Sequence, residues 1–134
     1  MITAVDTNIL LDILLPNEKF IARSQKALET AAAAGSLVIC DLVYAELCVH
    51  FESQAVCDDF LSDAGIRTEA LGRPASFLAS RVWRRYRRQG GPRERILADF
   101  LIGAHAQMQA ARLLSRDRGF YRRMFPALHL MEPA

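Results

Sequence analysis

Apolar residues along this chain follow two rhythms. Ile2 to Val5, Leu37 to Cys40 and Leu113 to Ser115 are short, nearly continuous apolar runs, as expected of strands covered on both faces. Between them, longer segments repeat apolar positions at helical spacing. A first helix is predicted over 9–15, beyond Asp6, with Thr7 and Asn8 as its cap and Pro16 as its end. Asn17 is a good N-cap for a second helix from about Glu18 to Ala34, with Phe20, Ser24, Ala27, Leu28 and Ala31 on one face and Gly35 as the stop.

After the second strand, Asp41 is expected to cap a helix from Leu42 to about Ser53. Another helix covers Ala55 to Ala64 and closes at Gly65. Ile66 to Leu71 is more polar and fits a strand near a sheet edge. Pro74 sits in the first turn of a helix that ends before Gly90-Gly91-Pro92. Leu78, Val82 and Tyr86 form its core stripe. Gly90 to Glu94 is read as a loop. Ile96 to Ala111 is apolar almost all round, so it should be buried, with Gly103, Ala104 and Ala106 allowing close packing. A short helix over Gly119 to Met124 and a last strand over Leu128 to Leu130 complete the pattern. Strands alternating with helices predict one α/β domain over 1–134, with a mostly parallel sheet and helices on both faces.

Composition refines this picture in three ways. A hydrophobic fraction of 51% excludes a disordered chain and leaves apolar surface for a partner. The net charge of +2 is small, but Arg81, Arg84, Arg85, Arg87, Arg88, Arg93 and Arg95 crowd one segment. Cys40, Cys48 and Cys57 lack metal-ligand or disulfide-framework spacing and read as reduced thiols. Asp6 and Asp12 interrupt the N-terminal apolar region, so it reads neither as a signal peptide nor as a membrane span, and a cytoplasmic protein is expected.

Four acids stand where acids are costly. Asp6 ends the first strand, and Glu46 interrupts an apolar helix. Asp99 lies in the first turns of the most buried helix, and Asp117 follows the strand Leu113–Ser115. In a parallel sheet the strand C-termini share one edge, where ligands bind, so these carboxylates can converge. Such a group repels itself unless a divalent cation holds it, and all-oxygen ligands favour Mg²⁺ or Mn²⁺. Taken singly, each acid could instead be a cap, a turn residue or a surface group. Asp12, Asp41, Asp58, Asp59 and Asp63 are read that way.

Val5-Asp6-Thr7-Asn8-Ile9-Leu10, Tyr44-Ala45-Glu46-Leu47, the run Ala98 to Ala106 and the run Leu114 to Tyr121 resemble the successive motifs of PIN-domain ribonucleases. In length and coverage the chain is most similar to the VapC toxins of toxin–antitoxin pairs. The resemblance implies a three-layer α/β/α fold with a central, mostly parallel five-stranded sheet. It also implies Mg²⁺- or Mn²⁺-dependent RNA cleavage, a VapB-like antitoxin and commonly a homodimer. Asp6, Glu46, Asp99 and Asp117 match the acidic quartet, and Thr7, Asn8, Ser115 and Arg116 match positions beside it. Ser115 replaces a more usual threonine, and the family's further acid after Asp117 is missing around Gly119.

Arg93 and Arg95 are candidate RNA-phosphate contacts, while Arg81–Arg88 are read first as a solvated face, the default for a charge run. Trp83, Tyr86 and Tyr121 could stack on bases, with Tyr86 read first as core, and Trp83, off the main apolar stripe, could meet a partner. His105 reads as a hydrogen-bonded core residue, not a general base. Two rival readings stand beside a nuclease: a binding module of low activity on the same scaffold, and an aspartyl-phosphate phosphotransfer domain. The second lacks a second acid two residues after Asp6, where Asn8 stands, and a lysine near a late strand.

Overall fold

In the computed structural model, which describes residues 1–15, 17–92 and 95–134, five strands form one sheet in the order β3-β2-β1-β4-β5. The strands are β1 (Ile2–Val5), β2 (Ser36–Cys40), β3 (Ile66–Glu69), β4 (Arg112–Leu114) and β5 (Leu130–Met131). Every pairing is parallel, and Ala4 lies between Val38 on one side and Leu113 on the other.

Among the described residues seven helices connect them: α1 (Thr7–Leu14), α2 (Ile21–Ala34), α3 (Asp41–Cys48), α4 (Gln54–Asp63), α5 (Arg73–Arg88), α6 (Leu97–Gln109) and α7 (Arg118–Met124). With right-handed crossovers, this strand order puts α1–α4 on one face of the sheet and α5–α7 on the other. Between β1 and β4 the connections leave in opposite directions, which opens a crevice at the strand C-termini. Asp6 and Asp117 both lie there.

Central strands are buried because their side chains meet helices on both faces. Ala4, Val5, Val38, Ile39, Leu113 and Leu114 are all 2% exposed or less. On the α6 side, Phe100 packs against Tyr86, Phe120 and Phe125, with ring centroids 5.2–6.5 Å apart. Gly103 makes this possible: a Cβ there would sit 2.5 Å from the Phe125 ring. Tyr86 is core and β3 lies at the sheet edge, as expected.

Several boundaries differ from expectation. Asp6, not Thr7 or Asn8, is the N-cap of α1, and its side chain accepts from the Thr7 N–H. The second helix begins at Ile21, because Asn17 forms a turn in which its Oδ1 accepts from Lys19 N at 3.1 Å and its carbonyl from Phe20 N and Ile21 N. The third helix stops at Cys48, and Ser53 instead caps α4, its Oγ accepting from Val56 N at 3.3 Å. Asp41 is the first residue of α3, and its carboxylate accepts from Leu71 N. The last strand falls at Leu130–Met131, where the Met131 carbonyl accepts from Ser115 N. The three cysteines are free thiols.

Candidate active site

Asp6 stands where β1 ends and α1 begins, only 6% exposed. Four donors serve its carboxylate. Thr7 N donates to Oδ1 at 2.8 Å. The Ser115 hydroxyl (2.7 Å), the Tyr121 hydroxyl (3.1 Å) and Asn8 Nδ2 (3.4 Å) all donate to Oδ2. Burial nevertheless pushes the Asp6 pKa up, and the negative charge of Glu46 adds to the rise; bonds from Ser115, Thr7 and Tyr121 pull it back. A buried carboxylate held this firmly, with another acid beside it, is the kind of group that a cation stabilises.

The neighbours follow from local geometry. Thr7, in the first turn of α1, donates its hydroxyl to Glu46 Oε1 at 2.6 Å, tying α3 to α1. Ser115 follows β4 and links three groups, because its Oγ donates to Asp6 and accepts from Asn8 Nδ2 (3.3 Å) and Asp117 N (3.0 Å). Asn8 Oδ1 in turn accepts from Arg116 N at 3.2 Å. Asp99 lies in the first turn of α6 and accepts from Ile96 N at 3.2 Å. Asp117 receives both guanidinium nitrogens of Arg95, at 2.5 and 3.1 Å. This pairing raises the Arg95 pKa, and the same guanidinium stacks 4.3 Å from the Phe120 ring centroid.

Tyr121 feels the charge of three of these acids. Its hydroxyl is pushed well above the ordinary tyrosine pKa by burial first, then by the charges of Asp6, Asp99 and Asp117. The sequence allows Tyr121 to stack on bases; in the fold it is buried instead, with its hydroxyl on Asp6. Its position one helical turn after Asp117 is the signal that could have revealed this.

Arg116 departs from its expected place as well. Its backbone N–H serves the site, but its side chain forks Asp12 at 2.7 and 2.9 Å and lies 3.9 Å from the Phe20 ring centroid. Asp12 is therefore no surface or cap acid: it is 3% exposed and also accepts from the Ser24 hydroxyl at 2.6 Å. Its position three residues after buried Ile9 placed it on the inner face of α1.

Arg95 lies at the site, with its guanidinium on a carboxylate, and Arg93 is outside the described residues. Trp83 is half-buried beside Arg87, Arg95, Ile96 and Leu97, and its Nε1 has no partner among the described residues. His105 is buried and bonded to Glu69 at 2.7 Å, as a core histidine should be.

Could this set hold a cation? Among the described residues no three acids, histidines or cysteines stand close enough together to hold a metal ion, since Asp99 faces its helix N-terminus and Asp117 faces Arg95. The chemistry of the donors nonetheless fits Mg²⁺ or Mn²⁺. Asp6, Glu46, Asp99 and Asp117 offer only oxygen, and Mg²⁺ commonly binds through one or two carboxylates while keeping its waters.

The PIN domain family model matches residues 3–125. Among curated protein sequences, none matches the chain. Solved structures share the fold. VapBC2 from Rickettsia felis, bound to a DNA fragment from its promoter, aligns at TM-score 0.77 and 22% identity, covering 100% of both chains. VapBC-1 from nontypeable Haemophilus influenzae aligns at 0.76 and 18%, covering 98% of each. A toxin–antitoxin complex from Klebsiella pneumoniae aligns at 0.70 and 18%, again covering 98% of each. With the parallel sheet, the crevice beside β1 and a family match over nearly its whole length, the chain belongs to the PIN domain family.

Proposed function

We propose that this chain is a metal-dependent endoribonuclease of the VapC kind, held inactive by a VapB-like antitoxin and working as a homodimer. The observation that carries the reading is Asp6: a buried carboxylate at the sheet's switch point, its pKa raised in part by Glu46, with Asp99 and Asp117 acting on the tyrosine that touches it. Family membership supports a nuclease, and neighbours found as VapBC complexes support an antitoxin partner.

Asp6, Asp99 and Asp117 would hold Mg²⁺ or Mn²⁺, with Glu46 a further ligand or the group that orients water. When bound, the cation supplies positive charge to the scissile phosphodiester and favours ionisation of the attacking water. The chain's own residues prepare the rest. Ser115, Tyr121 and the Thr7 N–H fix both oxygens of Asp6, so it enters the reaction already oriented. The Thr7 hydroxyl aims Glu46, which is more exposed and suited to taking a proton from water. Arg95, together with Arg93, would steady the phosphate once released from Asp117.

Incubating the purified protein with single-stranded RNA tests this. Cleavage in Mg²⁺ or Mn²⁺ that stops with EDTA is expected; equal cleavage in EDTA would overturn it. One observation favours a binding module instead: Asp99 and Asp117 are both engaged by internal donors. RNA that binds but is never cut in either metal would select that reading.

A further inference from the structure

Six of the chain's seventeen basic residues lie on α5 and none of its fifteen acids does, so the remainder of the molecule is net acidic. Four of the six, Arg81, Arg84, Arg85 and Arg88, surround one surface hollow of about 500 Å³, lined besides them, among the described residues, by Gln89. Among the described residues no carboxylate lines it. Arg81–Arg85 and Arg84–Arg88 are i,i+4 pairs of like charge, which weaken a helix by a few tenths of a kcal/mol each. A helix face that is merely solvated mixes both signs; this one concentrates a single sign around a concavity.

The hollow is joined to the candidate active site through α7. Arg85 donates to the carbonyl of Met124, the last residue of α7, at 3.4 Å. Asp117 is the residue that precedes that helix, and seven residues at 1.5 Å each put the two ends about 10 Å apart. Arg122 and Arg123, in the last turn of α7, are exposed and extend the positive surface.

We propose that the arginines of α5 and α7 form a track for the phosphodiester backbone of single-stranded RNA, gripping nucleotides outside the scissile bond. The proposal rests on the ribonuclease reading for the identity of the polymer, and commits to phosphates because arginine forks match them bidentately and the track's α7 end lies about 10 Å, one short helix, from Asp117. A backbone contact of this kind positions RNA without reading its sequence.

Binding measured without catalysis separates this from the nuclease reading. Fluorescence anisotropy of a labelled single-stranded RNA in EDTA, over a range of salt, would compare the parent chain with Arg81→Gln/Arg84→Gln/Arg88→Gln. A control, Lys19→Gln/Arg23→Gln/Lys26→Gln, removes the same charge from elsewhere. The α5 variant should bind about tenfold or more weakly and lose about two from the salt slope, with the control near the parent value. Circular dichroism should report both variants folded. An unchanged affinity and slope in the α5 variant, an equal loss in the control, or displacement of RNA by polyglutamate at matched charge would overturn the track. If the chain binds RNA through these arginines yet never cuts it, the track stands and the nuclease reading fails. If it cuts RNA and the variant binds like the parent, the reverse holds.

Discussion

Arg95 forks Asp117, with its guanidinium nitrogens 2.5 and 3.1 Å from the two carboxylate oxygens. The pair is about one-third exposed, at 32% and 34%, so water screens it and its worth is at most about 1 kcal/mol. Arg95 thus neutralises an acid that the proposed chemistry needs, while remaining easy to displace. Replacing Arg95 with glutamine should tighten Mn²⁺ binding up to about fivefold, by removing the internal competitor. Titrating Mn²⁺ by calorimetry or electron paramagnetic resonance measures this; weaker binding would mean that Arg95 supports the site instead of competing for it.

The Tyr121 hydroxyl is one of three donors on Asp6 Oδ2. Tyr121→Phe keeps the ring among Phe120 and Phe125 and deletes only the donor. Stability should fall by about 1 kcal/mol, and RNA cleavage should slow while RNA affinity in EDTA stays the same. Unchanged cleavage at every metal concentration would show that Asp6 needs no such orientation.

Burial and Glu46 raise the Asp6 pKa above its unfolded value, so the folded chain holds the proton more tightly than the unfolded chain. Stability from this group is present at low pH and is lost as pH rises through the shifted pKa. Asp6→Asn removes the effect. In EDTA, the melting temperature of Asp6→Asn relative to the parent should therefore increase from about pH 4 to pH 7. A gap that stays flat or narrows would place Asp6 in a far more polar setting.

Asp12 and Arg116 form another ion pair near the site, with Asp12 3% and Arg116 28% exposed. The asymmetry decides which substitution is worse. Arg116→Met strands a buried carboxylate with, among the described residues, the Ser24 hydroxyl as its remaining donor and should cost about 3 kcal/mol. Asp12→Asn leaves a cation that can reach water and should cost about 1–2 kcal/mol. Urea denaturation of both variants checks the order.

These contacts show what a sequence can and cannot disclose. An apolar run followed by an acid was enough to place Asp6 and Asp117 at strand ends, because a parallel sheet gathers those ends on one edge. Helical spacing placed Tyr86 and Gly103 in the core, and it could equally have placed Asp12 and Tyr121. Both were assigned by residue type, acid to surface and aromatic to ligand, when their position on the helix was the better guide. The second helix starts late because Asn17 suits a helix cap and a tight turn equally, and here it makes the turn, with Phe20 lying under Arg116. Arg95 on Asp117 joins residues 22 apart across α6 and β4, and no local pattern encodes that distance.

The central claim is that four carboxylates of this chain cut RNA with a divalent cation. Single-turnover cleavage of an unstructured RNA in Mn²⁺, by the parent chain and by Asp6→Asn and Asp99→Asn, tests it most directly. Circular dichroism would verify that each variant is folded. Cleavage by the parent and its loss by at least about a hundredfold in both folded variants is predicted, a barrier increase of about 2.7 kcal/mol or more. Full activity in both variants would contradict it.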